Sequence, residues 1–192
     1  DCMTQLEAFI NRQDRRAGEE LLDIGLVHYQ FEAIHPFSDG NGRIGRMLVT
    51  LMAQQLKLVD HPLVHISAEI ETDKPGYIDR LFAVSSKGNW EDWLAFFLRT
   101  VQRSCMAATA KVDQIIGLQR ELRERVLGHR NNHRLAAIVD RLFTREWITV
   151  KEAQEICGVS FPTAQADIES LVHAGILTPM KKARPAVYVA TE

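Results

Sequence analysis

Residues 35–46, HPFSDGNGRIGR, place three glycines (Gly40, Gly42 and Gly45) within six positions, directly after a histidine and an aspartate. Glycine inside a helix costs about 1 kcal/mol relative to alanine, so three together mark a place where side chains have to be absent. The flanks sharpen the constraint. GEELLDIGLVHYQFEAI (18–34) reads as a long amphipathic helix running into the segment. NGRIGRMLVTLMAQQLKL (41–58) reads as a second one leaving it, with Ile44, Leu48, Leu51 and Met52 at steps of three and four forming the core face. The chain is therefore committed to two helices joined by a tight polar loop. Phe37, apolar between polar neighbours, is expected to anchor that loop on the core.

Most of the remainder also carries helical periodicity. MTQLEAFINR (3–12) puts Leu6, Phe9 and Ile10 on one face, and His61-Pro62 breaks the helix that follows the glycine segment. Ser67 opens a short helical stretch, Pro75-Gly76 interrupts it, and YIDRLFAVSS resumes. From Asn89, the expected cap, a helix runs to about Gly128 with Glu91 and Asp92 in its first turn. Trp90, Trp93, Phe96 and Phe97 are read as core of this helix. The polar GHRNNH (128–133) reads as a linker, which divides the chain into residues 1–128 and 129–192.

The second part has a different rhythm: a helix over 134–145, two helices capped by Thr149 and Ser160 and closed by Gly158 and Gly175, and a hairpin from ILTPM and AVYVA around a basic KKARP turn. Helix-turn-helix followed by a hairpin is the order of a winged helix. Its second helix, SFPTAQADIESLVHA, has no Lys or Arg and carries Asp167 and Glu169. Phosphate contacts supply most non-specific DNA affinity, so this helix argues against nucleic acid. Only Lys181, Lys182 and Arg184 at the wing tip are suitably basic. Protein contact is the expected role: docking, homodimer formation or target recruitment.

Composition excludes several classes. The 192 residues are 46% hydrophobic and 25% charged with a formal net charge of −2, which is neither a polycationic binder nor a membrane protein. Cys2, Cys105 and Cys157 are scattered and unpaired in sequence, as in a reducing, cytoplasmic compartment. No apolar run approaches the roughly 20 residues that span a bilayer.

The chemistry in the glycine segment follows from its place at a helix start. The first backbone N–H groups of a helix lack internal partners and carry the positive end of the macrodipole. Gly40 and Gly42 let phosphate oxygens approach those amides closely. Arg43 and Arg46, three apart on one face, can point along one polyphosphate. Asp39 is a hard oxygen ligand suited to Mg²⁺ on phosphates. Asn41 offers an amide donor for a phosphoryl oxygen, and His35 can take a proton from an incoming hydroxyl.

The same stretch resembles the signature of the Fic family, H-x-F-x-[D/E]-G-N-G-R-x-x-R, at every defined position. QLEAFINR, SAEIETDKPGYIDRL and NWEDWLAFFL are similar to flanking family segments, so the resemblance covers residues 1 to about 110. It implies a mainly α architecture, a Fic-type helical domain followed by the small winged helix. The implied activity is transfer of AMP from ATP to a Ser, Thr or Tyr hydroxyl of a target protein, with release of pyrophosphate. Removal of AMP by the same residues is also implied. His35 would be the base and Asp39 the Mg²⁺ ligand. Asn41 and the amides of Gly40 and Gly42 would form the anion hole, with Arg43 on the β-phosphate and Arg46 on the γ-phosphate. A β-hairpin flap and an inhibitory [S/T]-x-x-x-E-[G/N] helix are family features not recognised here. Ser67 and Glu71 have the spacing, but Thr72 follows. Both are expected in preceding chain. The alternative reading is a winged-helix regulator, DNA-binding or otherwise, whose Fic domain only senses nucleotide.

Overall fold

The computed structural model describes residues 1–180 and 186–191. The basic wing turn, with Lys181, Lys182 and Arg184, lies outside the described residues. The chain divides into two compact units, Asp1–Ala110 and Lys111–Glu192. That division falls earlier than the GHRNNH segment, within a helix.

In the first unit, α1 (Cys2–Ile10), α2 (Glu20–Ile34), α3 (Asn41–Gln55), α4 (Ser67–Thr72) and α5 (Lys74–Lys87) are followed by the start of α6 (Trp90–Val126). Their core gathers Ile24, Val27 and Phe31 of α2, Val49 and Met52 of α3, and Trp93 and Phe97 of α6. Trp93 also donates its indole N–H to the Gly25 carbonyl at 3.1 Å, which fixes α6 against α2. Asp23, buried in α2, accepts from Arg12 through both oxygens at 2.8 Å and from Arg15 at 2.8 Å, pinning the segment that links α1 to α2.

Three expectations need correcting here. Leu51 is 51% exposed, and the buried row of α3 is Asn41, Gly45, Val49 and Met52. The helix is rotated so that small and polar side chains meet α2. Pro75-Gly76 does not interrupt a helix but opens one. Asp73 caps α5, accepting from the Gly76 N–H at 3.1 Å, and Pro75 sits in the first turn where no N–H is needed. Trp90 stands at the margin of the core, 38% exposed, edge-on to Tyr29.

The second unit continues through the end of α6, then α7 (Asn132–Leu142), β1 (Trp147–Thr149), α8 (Val150–Cys157), α9 (Phe161–His173), β2 (Leu177–Pro179) and β3 (Val187–Ala190). Thr149 closes a capping box with Glu152, and Gly158 ends α8 in the left-handed region at φ 62°. The strands make an antiparallel sheet in the order β1-β3-β2, with Ile148 opposite Tyr188 and Thr178 opposite Val189. β1 is absent from the sequence reading: three residues between two helices carry too little alternation to register.

Asp167 is a further correction. It is 1% exposed and turned inward, accepting from Arg134 Nε at 2.6 Å, from Arg134 Nη2 at 3.0 Å and from Asn131. It is the anchor between α9 and α7 and presents no charge to the helix surface. Of the two acids read as repelling phosphate, Glu169 alone is exposed.

Candidate active site

α2 ends on His35, whose φ of 50° and ψ of 58° lie in the left-handed region seldom adopted by residues with a side chain. This turn stops α2 and throws the imidazole outward. Nδ1 lies 3.3 Å from the Glu32 carbonyl; with the proton on Nδ1, Nε2 faces solvent with a free lone pair. Gly40 begins α3 at φ 85°, again left-handed, which is why a glycine stands there. It supplies no side-chain cap, and the first hydrogen bond back along the helix joins the Ile44 N–H to the Gly40 carbonyl at 3.0 Å. The amides of Asn41, Gly42 and Arg43 therefore have no partner within the helix.

The loop between is held by Asn41 rather than by a buried aromatic ring. Phe37 is 48% exposed. Its N–H donates to Asn41 Oδ1 at 2.9 Å, and its carbonyl accepts from Asn41 Nδ2 at 2.6 Å. The Asn41 side chain, 2% exposed, is thus committed to the loop backbone. The anchor expected at Phe37 is its main chain.

Asp39 and Arg43 are both well exposed and pair at 3.2 Å across one helical turn. Arg46 donates from Nε to Ser67 Oγ at 3.1 Å, at the start of α4. The two arginines line one side of an open cavity of about 340 Å³, which continues over Leu51, Pro62, His65 and Ser67. Its volume falls within the range of ligand pockets. His35 stands outside that wall, exposed beyond the other end of the loop.

Gly45 has a different job from the other glycines. A Cβ there would lie 3.3 Å from His28 Cε1 and from Phe31 Cδ1, and would collide with Glu32 Oε1. It is the point where α2 and α3 touch. Around it lies a polar cluster the sequence reading left aside. His28 is fully buried, with Nε2 3.0 Å from the Tyr77 hydroxyl, and its Nδ1 finds no hydrogen-bond partner among the described residues. Burial lowers its pKa to about 4, so the ring is neutral. Glu32 Oε1 is likewise sealed and unpartnered among the described residues. Burial raises its carboxyl above the usual range, against the pull of Arg46 and His35. Burial, and then the charge of Glu32, also raises the Tyr77 phenol, which sits under the helix pair. The signal was available: 28, 32 and 35 follow the i, i+4, i+7 spacing of one helical face.

Among the described residues no group of three or more His, Cys, Asp or Glu is gathered to hold a metal. Mg²⁺ is commonly held by one or two carboxylates together with substrate phosphates and water. Asp39, a lone exposed carboxylate beside unpartnered helix amides, fits an ion that arrives with a polyphosphate. It does not fit a resident all-protein site.

Residues 1–53 match the family model described as Fic/DOC family, a span that includes the whole glycine segment. The fold is similar to the crystal structure of a Fic family protein from Desulfovibrio desulfuricans G20, with a TM-score of 0.53 at 19% identity. The match covers 99% of this chain and 54% of that one, so the chain spans about half the length of the solved protein. The mainly helical architecture is thus similar to that of the solved Fic family protein. No helix among the described residues is long and apolar enough to cross a membrane.

Proposed function

We propose that this chain carries the catalytic centre of a protein adenylyltransferase, moving AMP from ATP to a hydroxyl side chain of a target protein. The observation that carries the reading is the start of α3. There, backbone amides without partners in the helix and two arginines lining one open cavity share a twelve-residue segment with an exposed imidazole. In the proposed step the target hydroxyl oxygen forms a bond to the α-phosphorus. The bond from that phosphorus to the β-bridging oxygen breaks, and pyrophosphate leaves. His35 Nε2 takes the hydroxyl proton.

The amides of Gly40 and Gly42 are assigned to the charge that develops on the phosphoryl oxygens; the Asn41 side chain, expected as a further donor, is instead taken up by Phe37, and its backbone amide stands in its place. Arg43 is assigned to the β-phosphate and Arg46 to the γ-phosphate; each would exchange its present partner, Asp39 or Ser67, for the nucleotide. Asp39 would hold Mg²⁺, whose contribution when bound is to neutralise polyphosphate charge. The catalytic domain is assigned to residues 1–128 and a winged-helix domain to 129–192, although the two compact units divide earlier, at Ala110. The second is assigned to protein contact, as partner docking or homodimer formation, in a cytoplasmic enzyme.

Labelled ATP tests this directly. Label from the α-position is expected on protein and label from the γ-position is not, and His35→Ala is expected to reduce labelling by about 10²–10⁴-fold. Label from the γ-position would make the protein a kinase. Absence of both would favour nucleotide sensing.

A further inference from the structure

Glu32 and Arg46 are near one another and do not meet. A Cβ on Gly42 would stand 3.0 Å from Arg46 Nη1 and 3.9 Å from Glu32 Oε1, so the two groups converge over the same turn of α3, within about 7 Å. Glu32 Oε1 is sealed from solvent with no hydrogen-bond partner among the described residues, a costly state for a carboxylate oxygen. Arg46 meanwhile uses Nε on the hydroxyl of Ser67, a neutral and exposed acceptor. Two flexible side chains of opposite charge, one of them unsatisfied, are thus separated by a gap that a rotamer change closes. A side chain at position 42 would crowd that gap, since its Cβ would stand 3.0 Å from Arg46 Nη1.

We propose that Glu32 is the positioning residue for Arg46. On release from Ser67 the guanidinium turns across Gly42 onto the Glu32 carboxylate, and its remaining N–H groups are presented beside the first amides of α3. A guanidinium has five donors in a planar fork, so one edge can be held by a carboxylate while the other takes a phosphate. The identity of the anion rests on the transferase reading; the Glu32–Arg46 contact does not.

The Arg46 Nε–H signal in ¹⁵N-resolved NMR spectra of the full chain, assigned by its loss in Arg46→Lys, reads the contact without any ligand. Ser67→Ala frees Arg46, and its signal is expected to take on the slow side-chain rotation of an ion-paired guanidinium. The double variant Ser67→Ala/Glu32→Gln is expected to lose that signature. Identical spectra from the single and double variants would overturn the proposal, whether or not the protein uses ATP. The catalytic arm uses Glu32→Gln, which keeps the side-chain shape. The KM for Mg-ATP is expected to rise about tenfold with kcat within twofold, and the substitution is expected to add nothing in an Arg46→Ala background. Effects of Glu32→Gln and Arg46→Ala that multiply would overturn it too. A wild-type protein inert toward ATP would sink the transferase reading alone.

Discussion

Asp167 and Glu32 are both carboxylates pressed against a neighbouring helix, and the two units treat them oppositely. Asp167 is saturated, with both oxygens engaged by Arg134 and one also by Asn131. Glu32 has an oxygen hidden from water and from every donor among the described residues, and His28 beside it has a nitrogen in the same state. Buried carboxylates are saturated at Asp167 and, in the first unit, at Asp23; Glu32 is left unfinished, beside the start of α3. Unsatisfied polar groups reduce stability, and they persist where another demand overrides it. The comparison separates the saturated contact of α7 with α9 from the unsaturated contact of α2 with α3.

Removing the satisfied carboxylate gives the largest expected loss. Asp167→Ala takes away the bond between α9 and α7 and is expected to lower the unfolding free energy of the second unit by about 3 kcal/mol in urea titrations. A loss under about 1 kcal/mol would show that the saturated pair is not what holds α9.

Acid comes next. His28 has a pKa of about 4 in the folded chain, against about 6.5 when unfolded. Between those values the unfolded chain binds the extra proton, so stability is full above about pH 6.5 and is lost as pH falls towards 4, by up to roughly 3 kcal/mol. Glu32 acts with the opposite sign, since burial raises its pKa and the folded chain takes up that proton before the unfolded one as pH falls. His28→Gln is therefore expected to flatten the acid limb of the stability–pH curve and expose the weaker Glu32 slope. An unchanged limb would mean that His28 is not carrying it.

Smaller again is the effect of closing the helix contact. Gly45→Ala sets a methyl against Glu32, His28 and Phe31 and is expected to cost about 2 kcal/mol by thermal unfolding. Glu32→Ala in the same chain is expected to return part of that loss, because the atom lying nearest has been removed.

How much of this was readable in advance depended on the range of the forces involved. The loop from His35 to Gly40 and the caps at Thr149, Gly158 and Gly175 are set by neighbours a few residues away, and the sequence states them. The helix spans are equally local. Which face of α3 turns inward is not, because Gly45 against α2 decides it, and that contact put Val49 in the core and Leu51 outside. Asp167 reads as an exposed charge until Arg134, distant in sequence, is seen to reach it. Ser67 lies well beyond the glycine segment, so its hold on Arg46 could only come from the folded chain. Glu32 and His28 were visible as a spacing, but their lack of partners is a property of packing.

The clip between Asn41 and Phe37 has a consequence for how this site can vary. Two bonds from one side chain to one residue's main chain close a small ring, and a ring of fixed circumference counts residues without reading them. The ring itself makes no demand on the side chains at positions 38 and 39; any demand at 39 comes from the site. An insertion or deletion between 37 and 41 would break the ring, letting the imidazole and the helix tip drift apart. Spacing is thus what the ring fixes.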